Sequence, residues 1–128
     1  MQEVKEKGFI AISVTLLLLV VIVAIATTVA LLSIGEAQSS LALSQGEETL
    51  QFVEGCTEDA LLKARTNSSY NGGTITRPEG TCSVTISKNS STWTMTTTTT
   101  DTKYKRTIQT VFDRNPTGIT LTSWQEIP

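Results

Sequence analysis

The chain has 128 residues, a formal net charge of -2 at pH 7, no histidine and two cysteines. The near-neutral charge argues against binding of polyanions by bulk electrostatics, so a nucleic-acid contact would need a local basic patch. The missing histidine excludes His-based catalytic triads and most transition-metal sites. With no glycine-rich phosphate loop or nucleophile motif either, we expect no catalytic centre, no metal and no cofactor.

Residues 1–8 form a short polar leader. It carries Glu3, Lys5, Glu6 and Lys7 and ends at Gly8. We predict that this segment is a processing sequence, too short to form a folded element. Its two lysines predict that it stays in the cytoplasm, because basic residues next to a membrane span favour the cytoplasmic side.

An uncharged run begins at Phe9 and lasts until Glu36. About 20 apolar residues are enough for a helix to cross the hydrocarbon core of a bilayer. The polar side chains between residues 9 and 34 are all hydroxyls, on Ser13, Thr15, Thr27, Thr28 and Ser33. We therefore predict that residues 9–35 are the transmembrane half of a helix in a single-pass protein with its N-terminus inside.

The junction between the charged leader, Gly8 and an apolar helix that starts at Phe9 resembles the class III signal of type IV pilins and pseudopilins. The resemblance implies that prepilin peptidase cleaves between Gly8 and Phe9 and methylates the new amine of Phe9. Glycine suits the position before the scissile bond because it has no side chain to obstruct it. Many pilins carry a proline in the middle of the membrane helix. This sequence has no proline there, and residues 27–30 occupy the corresponding region.

The family usually carries a glutamate five residues into the mature chain, where this sequence has Ser13. In the family that glutamate pairs with the amine of a neighbouring subunit, so the resemblance implies that Ser13 is the subunit-docking position. Serine cannot neutralise an amine, but it can accept a hydrogen bond or bond to the carbonyl one turn back. Assembly would then depend on packing of residues 16–25 against other apolar helices. The chain is accordingly either a filament subunit that tolerates the loss or a minor subunit at a tip.

Two other interpretations of the N-terminus stay open. An ordinary secretory signal peptide could be cleaved after residues 24–26, although the apolar stretch before them exceeds the usual length. The run could also be a plain uncleaved anchor.

The helix is predicted to continue through residues 36–66, because no proline occurs between Glu36 and Arg65. A mostly apolar stripe recurs there at spacings of three and four. Its members are Leu50, Val53, Thr57, Ala60, Leu61 and Ala64. Acidic side chains such as Glu47, Glu48 and Glu54 are left to solvent. Three glycines, at positions 35, 46 and 55, weaken the helix by about 1 kcal/mol each relative to alanine.

Residues 67–73 contain turn formers that end the helix, and the hydrophobic period then changes to two. We predict strands over residues 74–77, 81–87, 93–100, 104–112 and 119–124, with a turn near Asp101. Cys82 is predicted to lie on the inner face of its strand, where Val84 and Ile86 share its alternation. Trp93 and Met95 are predicted to share one face of the next strand, and Tyr104, Arg106, Ile108, Thr110 and Phe112 one face of the strand after it. Residues 67–128 therefore form a globular part made of an antiparallel meander of four or five strands. The expected fold class is α+β, with a long N-terminal helix packed on a small pilin-like sheet.

Cys56 and Cys82 both follow the membrane run, on the side predicted to face outward. An even cysteine count in an oxidising compartment favours a disulfide, which would join the helix to the sheet. Two separate buried thiols are the alternative, since spacing alone fixes no geometry.

Lys103, Lys105 and Arg106 are the candidate basic contact patch. Lys103 and Lys105 are predicted to share a strand face, where they could meet phosphate or acidic residues of a neighbouring subunit. They could also simply keep an exposed strand soluble. The neighbouring threonine-rich segment, 92–102, is expected to be a solvated strand of high β-propensity.

These features together predict a structural subunit, major or minor, of a type IV pilus or pilus-like filament. The predicted partners are prepilin peptidase, other pilin subunits in a homo- or hetero-oligomeric filament, and membrane lipid before assembly; nucleic acid has no specific support. The protein is expected in the cytoplasmic membrane and then at the cell surface or in an extracellular filament. Adhesion, motility, DNA uptake and secretion all fit the sequence. The alternative is a non-polymerising, membrane-anchored extracytoplasmic binding module.

Overall fold

The computed structural model describes residues 2–100 and 103–128. Helix α1 covers Gln2–Thr66, and five strands follow it: β1 (Gly72–Arg77), β2 (Gly80–Asn89), β3 (Thr92–Thr99), β4 (Thr107–Asn115) and β5 (Gly118–Ile127). The strands form one antiparallel sheet in the order β1-β2-β3-β4-β5. The predicted α+β fold with a meander sheet is confirmed.

The chain divides into two compact units, residues 1–42 and 43–128. In the described part of the first unit, every residue belongs to α1. The second unit contains the rest of that helix together with the sheet. The segment boundaries predicted from the sequence, after residues 8, 35 and 66, stay predictions.

Residues 2–8 of the leader are helical, which corrects the expectation that the leader forms no folded element. Helix α1 already begins at Gln2 and runs through Gly8 without a break. Starting a helix is costly, whereas adding residues to an existing one is not. The leader is continuous with a long apolar helix, and its glutamates and lysines are good helix formers. The short segment therefore needs no nucleus of its own.

Within the second unit, the helix turns a stripe of small and apolar side chains toward the sheet. The stripe recurs at the predicted helical spacing, and Val53, Cys56, Ala60 and Ala64 are fully buried. Leu50 and Leu61, which were predicted to belong to it, are half-buried at its border. Alanine at two of the buried positions leaves room for the larger side chains of the sheet.

The opposite half of the core comes from alternate residues of β2, β3 and β4. Val84, Met95, Ile108 and Phe112 are buried on this inner face, as predicted. Trp93 lies beside Phe112, with ring centroids 5.8 Å apart and the planes tilted by 48°. Aromatic pairs at such separations and tilts add to the stabilisation from burial alone.

Strand β4 starts at Thr107, so the prediction that Tyr104 and Arg106 belong to it is wrong. The Thr99 hydroxyl accepts a hydrogen bond from the Arg106 amide at 3.0 Å, and the Thr99 amide donates to the Arg106 carbonyl at 3.1 Å. A threonine side chain that takes a backbone amide in this way competes with the strand ladder. The turn predicted near Asp101 lies outside the described residues.

Strand β1 begins at Gly72, two residues earlier than predicted. Gly72 has φ +91°, and a Cβ placed there would lie 2.2 Å from the Val84 carbonyl oxygen. Only glycine combines this backbone conformation with so close an approach to the neighbouring strand. The pairing of β1 with β2 therefore depends on a residue that the sequence indicated only as a turn former.

The threonine-rich strand is only partly solvated, which corrects the sequence interpretation. Thr97 and Thr99 of β3 lie on the inner face with Thr110 of β4, and all three are buried. The period of two places alternate threonines of β3 on the two faces of the sheet. Among the described residues, the Thr97 hydroxyl oxygen has no hydrogen-bond partner.

Substituting Thr97→Val is expected to raise the free energy of unfolding by about 1–3 kcal/mol. Valine keeps the shape of threonine but removes a buried hydroxyl that pays a desolvation cost without a hydrogen bond. Thermal unfolding of the full chain in detergent measures the change. Thr57→Val is the matched control, because Thr57 is equally buried but donates to the Val53 carbonyl at 2.8 Å. A gain in the control, or none at Thr97, would contradict the interpretation.

Candidate processing and subunit-contact sites

The Gly8–Phe9 junction, the predicted cleavage and methylation site, lies inside α1. Both residues are exposed, and a Cβ added at Gly8 would meet no atom within 4 Å. No part of the described chain therefore shields the peptide bond between them. Because helical backbone is compact, a peptidase that cleaved this bond would have to unwind the helix locally, and glycine lowers the cost of unwinding.

Ser13 lies one turn beyond Phe9 on the helix. Its hydroxyl donates to the Phe9 carbonyl oxygen at 2.9 Å. This bond is one of the two arrangements expected from the sequence. The side chain thus satisfies itself within the helix and carries no charge that could neutralise an amine of another chain.

The other hydroxyls of the apolar run bond back to the helix in the same way. Thr15, Thr27, Thr28 and Ser33 all donate to carbonyl oxygens three or four residues earlier, at 2.8–3.0 Å. In hydrocarbon an unpaired hydroxyl has no water to bond with, so these internal bonds remove most of the cost of burying the run in lipid. The described chain contains one helix that is long and apolar enough to cross a membrane.

The large apolar side chains of this run are uncovered. Those between residues 9 and 34 are 49–73% exposed. Such a surface is far larger than a protein keeps in contact with water. The run must therefore be covered by lipid, by other helices or by both.

The predicted disulfide is present and joins helix α1 to strand β2. Cys56 and Cys82 are bonded, with Cα atoms 6.4 Å apart and a sequence separation of 26. Both are fully buried, next to Ala60, Val84 and Met95 in the core. The bridge fixes the sheet to the second half of the helix.

Two arginines of the sheet bind the helix, one from β1 and one from β4, and neither contact could be predicted from the sequence. From β1, the Arg77 guanidinium forms an ion pair with Asp59, including an Nε contact of 3.1 Å. From β4, Arg114 Nε donates to the Ala64 carbonyl at 3.0 Å, near the end of α1. The hydrogen bond from Arg77 to Asp59 and the charge of that carboxylate raise the pKa of Arg77.

Two glycines of the helix make room for arginine side chains. A Cβ at Gly55 would lie 3.2 Å from Arg77, and one at Gly46 would lie 3.1 Å from Arg106. These glycines were predicted only to weaken the helix. In the structure they also allow charged groups of the sheet to approach the helix backbone closely.

The three residues of the candidate basic patch have different surroundings. Lys103 and Lys105 are exposed and lie before β4, so the prediction that they share a strand face is wrong. Arg106 is half-buried and forms an ion pair with Glu126 of β5 at 2.6 Å. Lys103 and Lys105 each project a positive charge from this segment, and neither forms an ion pair in the described chain.

A cavity of about 500 Å³ lies beside Lys103 within the second unit. Its lining mixes aromatic and oppositely charged side chains, among them Phe52, Tyr104, Glu48, Glu79 and Lys103. Over residues 2–100 and 103–128, no cluster of three or more acidic or cysteine side chains could hold a metal ion. The cavity has no arrangement that indicates a particular ligand.

The inner face of β5 is a surface that the sequence did not reveal. Leu121 and Trp124 are spaced by three, which breaks the period of two because the pairing of β4 with β5 shifts between Val111 and Phe112. The irregularity brings both side chains to the same face of the strand. Both are exposed. The spacing of three between Leu121 and Trp124, which interrupts the strand alternation, was the sequence signal that could have indicated this surface.

Compared with protein families, with curated proteins and with solved structures, the chain matches none. Its architecture is nevertheless pilin-like: a long N-terminal apolar helix, an antiparallel sheet packed on its second part, and one disulfide. Architecture alone supports many functions, so the functional interpretation depends on the N-terminal junction.

Proposed function

We propose that the chain is a structural subunit of a type IV pilus or pilus-like filament. The observation that carries the proposal is the junction at Gly8 and Phe9, where a charged leader meets an uncharged helix. The exposed apolar side chains of residues 9–34 support it, because they need a cover of lipid or other helices. The helix that continues into a disulfide-linked sheet supports it independently of the junction.

In this function, the leader with its lysines stays on the cytoplasmic side while prepilin peptidase cleaves after Gly8 and methylates Phe9. The new N-terminus then lies at the start of an apolar helix whose hydroxyls are already satisfied. Replacing lipid by other helices leaves the apolar surface covered, and packing between the helices supplies the attraction. The sheet of residues 43–128 becomes the part that meets the medium.

Ser13 determines which subunit of the filament the chain can be. An unpaired amine in hydrocarbon is costly, and a charged partner removes that cost. Ser13 is uncharged, and its hydroxyl proton is already donated to the Phe9 carbonyl. The chain is therefore either a shaft subunit held by apolar packing alone or a minor subunit at the tip.

The second candidate is an anchored extracytoplasmic binding module that does not polymerise. The uncharged Ser13 favours it, because the charge pair that draws subunits into register is missing. The two candidates differ in where the mature protein is found. Sheared surface filaments should contain a pilus subunit, whereas an anchored module stays wholly in the membrane fraction.

Substituting Gly8→Leu is expected to abolish processing, so that the chain retains residues 1–8. A leucine side chain would obstruct the scissile bond, which glycine leaves open. Intact mass of the purified protein measures the outcome, and the wild-type chain should start at Phe9 with one added methyl group. Gly35→Leu is the matched control, since Gly35 is also an exposed helical glycine with open space around its Cβ position, and it should be processed normally.

Two other masses of the wild-type chain would each contradict the proposal and identify a different alternative. A wild-type chain that keeps Met1 would identify a plain anchor. A chain that starts at Thr27 would identify a secretory signal peptide.

A further inference from the structure

The sheet extends beyond the area that the helix covers. Across β4 and β5, Phe112 pairs with Leu121 and Thr110 pairs with Trp124. Directly paired residues point to the same face of a sheet. Phe112 and Thr110 are fully buried, yet Leu121 is 50% and Trp124 is 37% exposed. The face that is core on β4 is therefore open surface at Leu121 and Trp124 of β5.

We call the surface formed by Leu121, Trp124, Arg106 and Arg114 the β5 patch. The two arginines lie at opposite ends of the line through Leu121 and Trp124. Arg114 is opposite Ile119 at one end, and Arg106 binds Glu126 at the other. Tryptophan and arginine around an apolar centre are the side chains most enriched at protein interfaces. Lys105, next to Arg106 in sequence, adds an exposed positive charge.

A partner for this patch needs an exposed apolar side chain and negative charge. Among the described residues of 43–128, the other exposed large apolar side chains are Leu43 at 67% and Leu62 at 60%. Leu62 has Glu58 one turn before it, but Lys63 follows it and Arg65 lies one turn after it, so its surroundings carry no excess of negative charge.

Leu43 has the complementary surroundings. No lysine or arginine occurs between Gly8 and Leu62 in the sequence, and Glu47 lies one helical turn after Leu43, on the same side. Glu47 and Glu48 are both exposed, and neither forms an ion pair in the described chain. Residues 43–48 thus present an apolar side chain with two carboxylates that form no ion pair in the described chain, although Glu48 lines the cavity beside Lys103 and Gly46 lies close to Arg106 of the same chain.

We propose that the β5 patch of one chain binds residues 43–48 of a second copy of the chain. Leu43 would cover Leu121 and Trp124, and Glu47 would lie toward Lys105. The inference rests on the proposed function, since a filament brings copies side by side. The two surfaces are different, so the contact is heterologous and can repeat from copy to copy instead of closing a two-fold dimer.

Cysteine cross-linking between two full-length copies tests the contact. The two native cysteines are bonded to each other, so an introduced cysteine is the free thiol of each variant. One tagged copy carries Leu43→Cys and a differently tagged copy carries Leu121→Cys, both expressed in the same cells. A short bismaleimide added to the cells or their membranes should yield a cross-linked species that carries both tags.

Two pairings serve as controls. Leu62→Cys with Leu121→Cys tests the other exposed leucine of the helix, and Leu43→Cys with Thr120→Cys tests the opposite, outer face of β5. Both should cross-link at about one fifth or less of the yield of the proposed pair, the ratio that corresponds to about 1 kcal/mol. Equal yields in a control pair, or cross-linking of Leu121→Cys only with itself, would overturn the proposal.

Reversing charges tests the electrostatic half of the contact. Glu47→Lys or Lys105→Glu in all copies should each lower the yield of the proposed cross-link by about fivefold. The chain with both changes should recover most of it, because the pair is restored with its signs exchanged. Unchanged yields in both single variants would contradict the assignment of Glu47 to this surface.

The same cells separate this inference from the proposed function. Processed chains in sheared filaments without the Leu43–Leu121 cross-link would overturn the contact and leave the filament function intact. The specific cross-link in a membrane fraction without filaments would keep the contact and overturn the filament function.

Discussion

Substituting Phe112→Ala is expected to lower the free energy of unfolding of the sheet-containing unit by about 3–5 kcal/mol. Phe112 is the largest fully buried side chain of the described chain and stacks beside Trp93 at 5.8 Å. Alanine leaves a cavity that the disulfide-linked core cannot collapse to fill, so both transfer and cavity terms contribute. Domains of this size have total stabilities of about 5–15 kcal/mol, so the variant should be close to the limit of folding.

Thermal unfolding of the full chain in detergent, followed by tryptophan fluorescence, measures this loss. The midpoint should fall by about 15–30 °C, given the usual relation between free energy and midpoint in small domains. Val111→Ala is the matched control, because Val111 is next in sequence but lies half-buried on the other face of β4. It should cost about 1 kcal/mol or less. A similar shift in both variants would show that the inner face of β4 is not the core.

Removing the disulfide by Cys56→Ala with Cys82→Ala is expected to cost about 3.5 kcal/mol. The bridge closes a loop with a sequence separation of 26, and the chain-entropy relation assigns about that value to its effect on the unfolded chain. The unit that it braces has one small core, formed by a single stripe of the helix against one sheet face. Small domains with limited cores depend strongly on such braces.

Midpoints measured with and without reductant provide the internal control for the disulfide. Reductant should lower the midpoint of the wild-type chain nearly to that of the double variant and leave the variant unchanged. Thiol labelling after unfolding verifies that reduction is complete. A fully reduced wild-type chain with an unchanged midpoint would mean that the bridge adds nothing to stability.

Much of the fold could be predicted because its signals are local. Continuous hydrophobicity from Phe9, the absence of proline up to Arg65 and the change of period after Gly73 depend only on neighbouring residues. These signals predicted the end of α1, a sheet of four or five strands, and the inner-face residues Val84, Met95 and Phe112. The start of β4 at Thr107 was misplaced because the Thr99 side chain at the end of the preceding strand accepts a backbone amide.

The candidate sites also contain some features that are local in sequence and others that depend on contacts between separate segments. The Gly8–Phe9 junction and Ser13 are local features, and the bond from Ser13 to the Phe9 carbonyl follows from helix geometry. Pairing of Cys56 with Cys82 was one of two interpretations, because spacing does not specify which side chains meet. The hydrophobic periodicity of the sequence could not predict the contacts of Arg77 and Arg114 with the helix.

By itself the amino-acid sequence determined an apolar helix that follows a charged segment ending in glycine, then a helical stripe and a meander of strands. These properties depend on residue types at fixed spacing along the chain. Only the tertiary structure decided that the Thr97 hydroxyl is buried without a hydrogen-bond partner in the described chain, that two arginines bind the helix from the sheet, and that part of β5 is not covered by the helix. Each of these depends on which residues from distant segments come together, and that is determined by the width of the sheet and the packing of its face.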